Sequence, residues 1–122
     1  PEGQAPLHIA AGNGSVELIK TLIARGANVN LANSNKQTPL HWAAWNNQVA
    51  AADILLGNGA GMEEADLAGN TPLIFAAQNG SAEVSKLLIK KGADRYMANK
   101  AGKTAAITAE DYGFRELARQ LK

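Results

Sequence analysis

The sequence predicts an all-α repeat solenoid, stacked helix–turn–helix units joined by β-hairpin loops, and three observations carry that prediction. The stretch Thr38-Pro39-Leu40-His41-Trp42-Ala43-Ala44 returns as Ala5-Pro6-Leu7-His8-Ile9-Ala10-Ala11 and as Thr71-Pro72-Leu73-Ile74-Phe75-Ala76-Ala77. A worn copy follows at Thr104-Ala105-Ala106-Ile107-Thr108-Ala109. Pro6, Pro39 and Pro72 stand 33 residues apart, and Ala105 takes the next step. Gly26-Ala27, Gly59-Ala60 and Gly92-Ala93 keep the same period, as do Leu22, Leu55, Leu88 and Leu121. Independent markers in phase at such a period are the signature of a repeat array.

Each unit is explained by local chemistry, and the second serves as template. Asn33-Ser34-Asn35-Lys36 has turn composition. Thr38 is an N-cap residue whose hydroxyl can accept a bond from a free first-turn amide. Pro39 then sits at the first helical position, where its missing N–H costs nothing. Leu40, Ala43 and Ala44 form one apolar face at helical spacing. Asn46-Asn47 breaks this helix, as Asn13-Gly14, Asn79-Gly80 and Tyr112-Gly113 do in the other units. A second helix runs to about Leu56, with Val49, Ala52, Leu55 and Leu56 expected inward. Gly59 is expected to end it in the left-handed conformation.

So short a helix pair cannot cover its own apolar face, so each unit must stack on its neighbour. The alanines let helices approach closely, and Leu22-Ile23, Leu55-Leu56 and Leu88-Ile89 are expected to supply much of the burial. The last unit lacks the proline and ends with Leu117 and Leu121 inward among Arg115, Arg119, Gln120 and Lys122, a cap-like pattern. The chain opens at Pro1-Glu2-Gly3, already inside a repeat, which reads as a fragment or trimmed chain.

With both stretches in phase over essentially the whole chain, the sequence resembles the ankyrin-repeat family. The resemblance divides a single domain, 1–122, into a truncated repeat (1–32), two full repeats (33–65 and 66–98) and a cap-like fourth (99–122). It implies an L-shaped stack whose concave inner helices and fingertips bind other proteins. It also implies that His8 and His41 bond the neighbouring loop backbone and steady a finger. Departures gather in repeat two. Lys36 replaces the turn glycine found at Gly3, Gly69 and Gly102, and Asn47 replaces the inter-helix glycine. Ala50-Ala51-Ala52 thins the second helix. In repeat three, Ile74 replaces the histidine.

Composition narrows the function. Of 122 residues, 46% are hydrophobic but only 5% aromatic, which suits closely stacked helices. There is no cysteine, hence no disulfide or thiolate metal site. No run of 18 apolar residues exists to span a membrane, and no secretory segment is visible. An intracellular setting, cytoplasmic or nuclear, is expected. Net charge is +1, too small to argue for nucleic acid, but uneven: −2 over residues 33–65 and +2 over 99–122.

Catalytic chemistry finds no footing. Two histidines one repeat apart lack the further ligands that zinc needs. Gly102-Lys103-Thr104 resembles the end of a phosphate loop, but Met97 stands where the motif needs glycine. Gly57-Asn58-Gly59-Ala60-Gly61 lies at a helix end outside any βαβ unit. Asn13-Gly14-Ser15 and Asn79-Gly80-Ser81 match the glycosylation pattern but read as inter-helix turns. Glu63-Glu64-Asp66 reads as a solvated loop. Asn30 stands in a Gly-Ala-Asn-Val-Asn hairpin of the sort that asparaginyl hydroxylases modify in the family. No cofactor, metal or catalytic residue is expected.

Binding is expected instead, by a monomer, at aromatic residues outside the core, because Trp, Tyr and Arg dominate interface energies. Trp45 has Gly12, Gln78 and Asp111 as counterparts, polar or small residues that mark a solvent-facing place. Trp42 has Ile9, Phe75 and Thr108 as counterparts, which favours packing between repeats. Asn46, Gln78, Asn79 and Tyr112 are expected beside Trp45 in a concave strip. Ser34, Asn35, Gln37, Leu67, Ala68, Asn70, Lys100 and Lys103 are expected to form the fingertip rim. The expected function is a non-catalytic scaffold for a protein partner, with no role in binding nucleic acid or membrane. Alternatives are a structural or regulatory segment of a larger protein without a separate ligand, or an engineered binder.

Overall fold

A computed structural model describes residues 5–122 and contains eight helices. These are α1 (Pro6–Asn13), α2 (Val16–Ala24), α3 (Pro39–Trp45), α4 (Val49–Gly57), α5 (Pro72–Gln78), α6 (Ala82–Lys90), α7 (Ala105–Asp111) and α8 (Arg115–Leu121). The odd helices form one row, α1 on α3, α3 on α5 and α5 on α7. Behind them α4 packs between α2 and α6. The turn glycine expected at Gly3 lies outside the described residues.

The small residues decide how closely the inner row packs. Leu7, Ala10 and Ala11 are buried, and so are Leu40, Ala43 and Ala44 one period on, and Leu73, Ala76 and Ala77 after them. An added methylene in such a row costs about 1–3 kcal/mol through overpacking, so alanine is required there by space. In the outer row Leu55, Leu88 and Leu121 are buried, while Leu22, Ile23, Leu56 and Ile89 are only partly covered. The pairs of the second and third repeats therefore bury one member each, and Leu22-Ile23 of the first buries neither fully. Val49, expected inward, is exposed, and Ala51 takes its place in the core beside Ala52. The thin alanine run lets α4 seat closely between its neighbours.

The loops differ from the expected hairpins: no strand forms among the described residues. Each finger is a run of turns closed on itself and joined to the next by one backbone bond. Asn33 N–H donates to the Gln37 carbonyl (2.9 Å), Asp66 N–H to Asn70 (3.0 Å) and Asn99 N–H to Lys103 (3.0 Å). Leu67 N–H reaches the Asn35 carbonyl and Lys100 N–H that of Ala68, each at 3.0 Å. A single bond per joint is too few for a ladder.

Among the described residues two that are not glycine occupy the left-handed region, Lys36 at φ 62° and Asn47 at φ 55°. They are the two positions where repeat two departs from glycine, so backbone geometry is kept while the residue changes. Asparagine tolerates this region better than other L-residues, and lysine does not.

Candidate functional site

The histidines set the floor of the site. His41 is fully buried, and its Nε2 donates to the Asn70 carbonyl (2.8 Å) in the next finger. A carbonyl only accepts, so Nε2 carries the proton and Nδ1 is the acceptor. Nδ1 receives the Thr38 amide and the Thr38 hydroxyl, both at 3.0 Å. One ring thus caps its own helix and clamps the adjoining repeat. Burial holds its pKa below the ordinary histidine value of 6.5, so the ring is neutral in the fold at pH 7. His8 makes the same bridge, Nε2 to the Gln37 carbonyl at 2.8 Å. At Ile74 there is no such ring, and the Thr71 hydroxyl accepts the Ile74 amide instead (3.3 Å).

Above this floor the aromatic side chains meet edge to face. Trp42 lies 5.7 Å from the His8 ring, Phe75 lies 4.9 Å from His41, and Trp45 lies 5.6 Å from Phe75. Trp42 is partly buried, and its indole N–H donates to Gln37 Oε1 (3.1 Å). It also covers Gly12, where an added Cβ would stand 3.3 Å from its ring. That is packing between repeats, the role its counterparts suggested. Trp45 is 40% exposed although it ends α3 in contact with Phe75.

Between these rings lies a groove of about 470 Å³. Trp42, Trp45 and Phe75 form its apolar wall, and Gln37, Asn46, Asp66, Asn70 and Gln78 supply polar groups. Of the residues the sequence singled out, the structure brings Trp42, Trp45, Asn46, Gln78, Gln37 and Asn70 to this one cavity. Asn70 is no rim residue: it is buried, tied by His41 and by Asn99 Nδ2 on its Oδ1 (2.9 Å). Asn79 is exposed beside the groove, its Nδ2 bonded to the Trp45 carbonyl (2.6 Å). Tyr112, 59% exposed, does not line it. Ser34, Asn35, Leu67, Ala68, Lys100 and Lys103 are exposed on the fingers. Lys103 is paired with Asp111, whose hydrogen bond raises the lysine pKa.

Sequence reasoning missed Phe75 and Asp66. Phe75 belongs to the recurring stretch and reads as core, which it is on one edge, being 8% exposed. Asp66, expected in a solvated loop, is buried, because its Oδ1 accepts the amides of Ala68 (2.9 Å) and Asn70 (2.8 Å). Asn33 does the same for Asn35 and Gln37, and Asn99 for Ala101 and Lys103. The signal was present: positions 33, 66 and 99 keep the 33-residue period, and side-chain oxygens that bind the backbone two residues on are a known turn device.

Asn47 adds a clamp between units. Its Oδ1 accepts the Val84 amide (3.1 Å), a free first-turn donor of α6, and its Nδ2 donates to Glu83 (2.8 Å). That bond lowers the Glu83 pKa. Ser81, the residue before α6, makes no side-chain cap, so the cap comes from the preceding repeat.

No curated protein matches this chain. A family model described as ankyrin repeats (three copies) matches residues 1–66 and 54–122.

Proposed function

The chain belongs to the ankyrin-repeat family, whose members are generally protein-interaction modules, and on that premise we propose that it is a non-catalytic scaffold binding a protein partner in the groove under Trp45. One observation carries this reading. A tryptophan 40% exposed stands over a concave, partly apolar cavity, and its neighbours in that cavity are amides with capacity to spare. Indole presents a large apolar area with a polar handle, which is why it concentrates at interface hot spots. The fingertips, with Leu67 at 52% exposure, extend the same surface.

The test is affinity capture with wild type and Trp45→Ala side by side. Truncating a hot-spot tryptophan costs about 2–4 kcal/mol of binding, enough to lose a micromolar partner. Species captured by wild type and lost from Trp45→Ala are the expected outcome. Identical captured sets would overturn the placement of the site.

A second reading, a repeat segment that only stacks within a larger assembly of repeats, is favoured by Leu18. It is 47% exposed, whereas Ala51, Val84 and Leu117 at the equivalent places are buried. That reading expects capture, if any, to be lost on Leu18→Glu and to be indifferent to Trp45.

A further inference from the structure

We propose that the groove takes an arginine side chain of the partner, held against Trp45 and Phe75 by the free oxygen of Asp66; this inference rests on the groove reading above. The observation that leads to it is an asymmetry among the three turn residues. Closing the finger needs one side-chain oxygen, and Asn33 and Asn99 do it with a neutral amide. Only the copy under the aromatic wall is a carboxylate. Its Oδ1 is committed to the two backbone amides, while Oδ2 has no partner among the described residues. Asp66 is 9% exposed, and what remains open lines the groove.

The rest of the lining fits the same ligand. No lysine or arginine lines the groove, so this carboxylate is its single formal charge. The Asn46 amide gives its Nδ2 to the Trp42 carbonyl (3.1 Å) and keeps its oxygen unused, and the Gln78 side chain makes no bond among the described residues. The oxygens of Gln37 and Asn70 are already taken, by Asn33 and Trp42 and by Asn99, so the open acceptors are the Asp66 carboxylate and the Asn46 and Gln78 oxygens, and the wall is π-surface. Guanidinium is planar, carries five donors and no acceptor, and stacks on aromatic rings. An ammonium offers three donors and keeps its hydration more strongly, which makes it the poorer match. Glu64, exposed on the same finger, adds negative potential outside the groove to attract a cation.

The probe is Nα-acetyl-arginine N-methylamide, titrated into 15N-labelled protein while the two indole N–H resonances are followed. The neutral citrulline amide and the lysine amide are run alongside. Saturable movement of the indole signals with arginine, and little with the other two, is the expected result. Asp66→Asn keeps the turn oxygen, as Asn33 and Asn99 show, and should fold. It should weaken the arginine titration by about tenfold to a hundredfold, the scale of one hydrogen bond to a charged group. Equal response to arginine and citrulline, equal response to lysine, or an unchanged titration in Asp66→Asn would each overturn the proposal. Partner capture separates the two readings. If capture depends on Trp45 but is untouched in Asp66→Asn, the groove stands and its arginine specificity does not. If capture ignores both substitutions, both readings fall.

Discussion

Replacing His41 with leucine tests the clamp that joins repeats two and three. The third copy already carries an aliphatic residue, Ile74, buried at the equivalent place, so leucine fits the space and the cost is polar. Three hydrogen bonds and the ring contact with Phe75 are lost, and two of the bonds set most of the cost. The Nε2 bond to Asn70 disappears, but that carbonyl keeps the Asp66 amide at 3.0 Å, so the loss is an ordinary hydrogen bond of about 0.5–1.5 kcal/mol. The Thr38 amide, on a residue 2% exposed, loses its Nδ1 acceptor, which costs about 1–3 kcal/mol for a buried donor left unpaired. The freed Thr38 hydroxyl recovers part by accepting the residue-41 amide, as Thr71 does for Ile74. A net loss of about 2–3 kcal/mol follows, lowering the melting temperature by about 8–12 °C for a domain of this size.

The pH dependence makes the test specific. His41 has its folded pKa depressed below 6.5 by burial. Above 6.5 the ring is neutral folded and unfolded, and its contribution is fully present. As pH falls below 6.5 the unfolded chain binds the proton first, so wild-type stability declines, by at most about 1.4 kcal/mol per pH unit from this group. His41→Leu lacks that decline. The gap between the two proteins should therefore be widest near pH 7.5 and close toward pH 5. Urea titrations followed by circular dichroism and by tryptophan fluorescence, with coincident transitions, measure it. A gap that is absent at pH 7.5, or that widens on acidification, would refute the assigned bonds and the neutral ring.

Three further substitutions probe the left-handed residues of repeat two by the same titrations. Asn47→Ala removes the acceptor for Val84 N–H and leaves a β-carbon at φ 55°, so a loss of about 2 kcal/mol is expected; Asn47→Gly loses the cap alone and should cost no more than about 1 kcal/mol. Lys36→Gly relieves a left-handed lysine at an exposed fingertip and should raise stability by about 0.5–1 kcal/mol, a fall in the urea midpoint counting against strain there.

What was legible in the sequence was whatever repeats. The helix-starting proline, the alanine face and the left-handed glycine recur from unit to unit and follow from needs the units share, while the bridges of His8 and His41 were expected from the family resemblance. The inward face of α4 was misread because Val49 outranks Ala51 in hydrophobicity, while the close approach of three helices selects for small size. The hairpins were misread because one bond per finger joint closes a turn without building a ladder. At the site, Trp45 stood out by differing from its counterparts. Asp66 did not, because an acidic residue beside Glu63 and Glu64 looks like surface charge until the amides it accepts are seen. Asn47 reads as a lost glycine in sequence, and only its reach to α6 reveals a cap supplied from the neighbouring repeat.

The groove lies across a joint that is held at several levels. Between repeats two and three the chain is tied at three levels. His41 holds Asn70 and Leu67 holds Asn35 at the finger. Asn79 and Ser81 hold the Trp45 carbonyl at the end of α3. Asn47 holds the start of α6. The next joint has no histidine, Ile74 standing in its place, and is tied instead by the Lys100 amide on Ala68, by Asn99 on Asn70 and by Arg95 on the carbonyls of Gln120 and Lys122. The groove straddles the first of these joints, with Trp45 on one side and Phe75, Asp66 and Gln78 on the other. A site split across two stacked units loses affinity whenever they rock, because the ordering must then be supplied on binding. The departures of repeat two from its siblings therefore belong together: Asn47 stiffens the joint that Trp45 and Asp66 need held still.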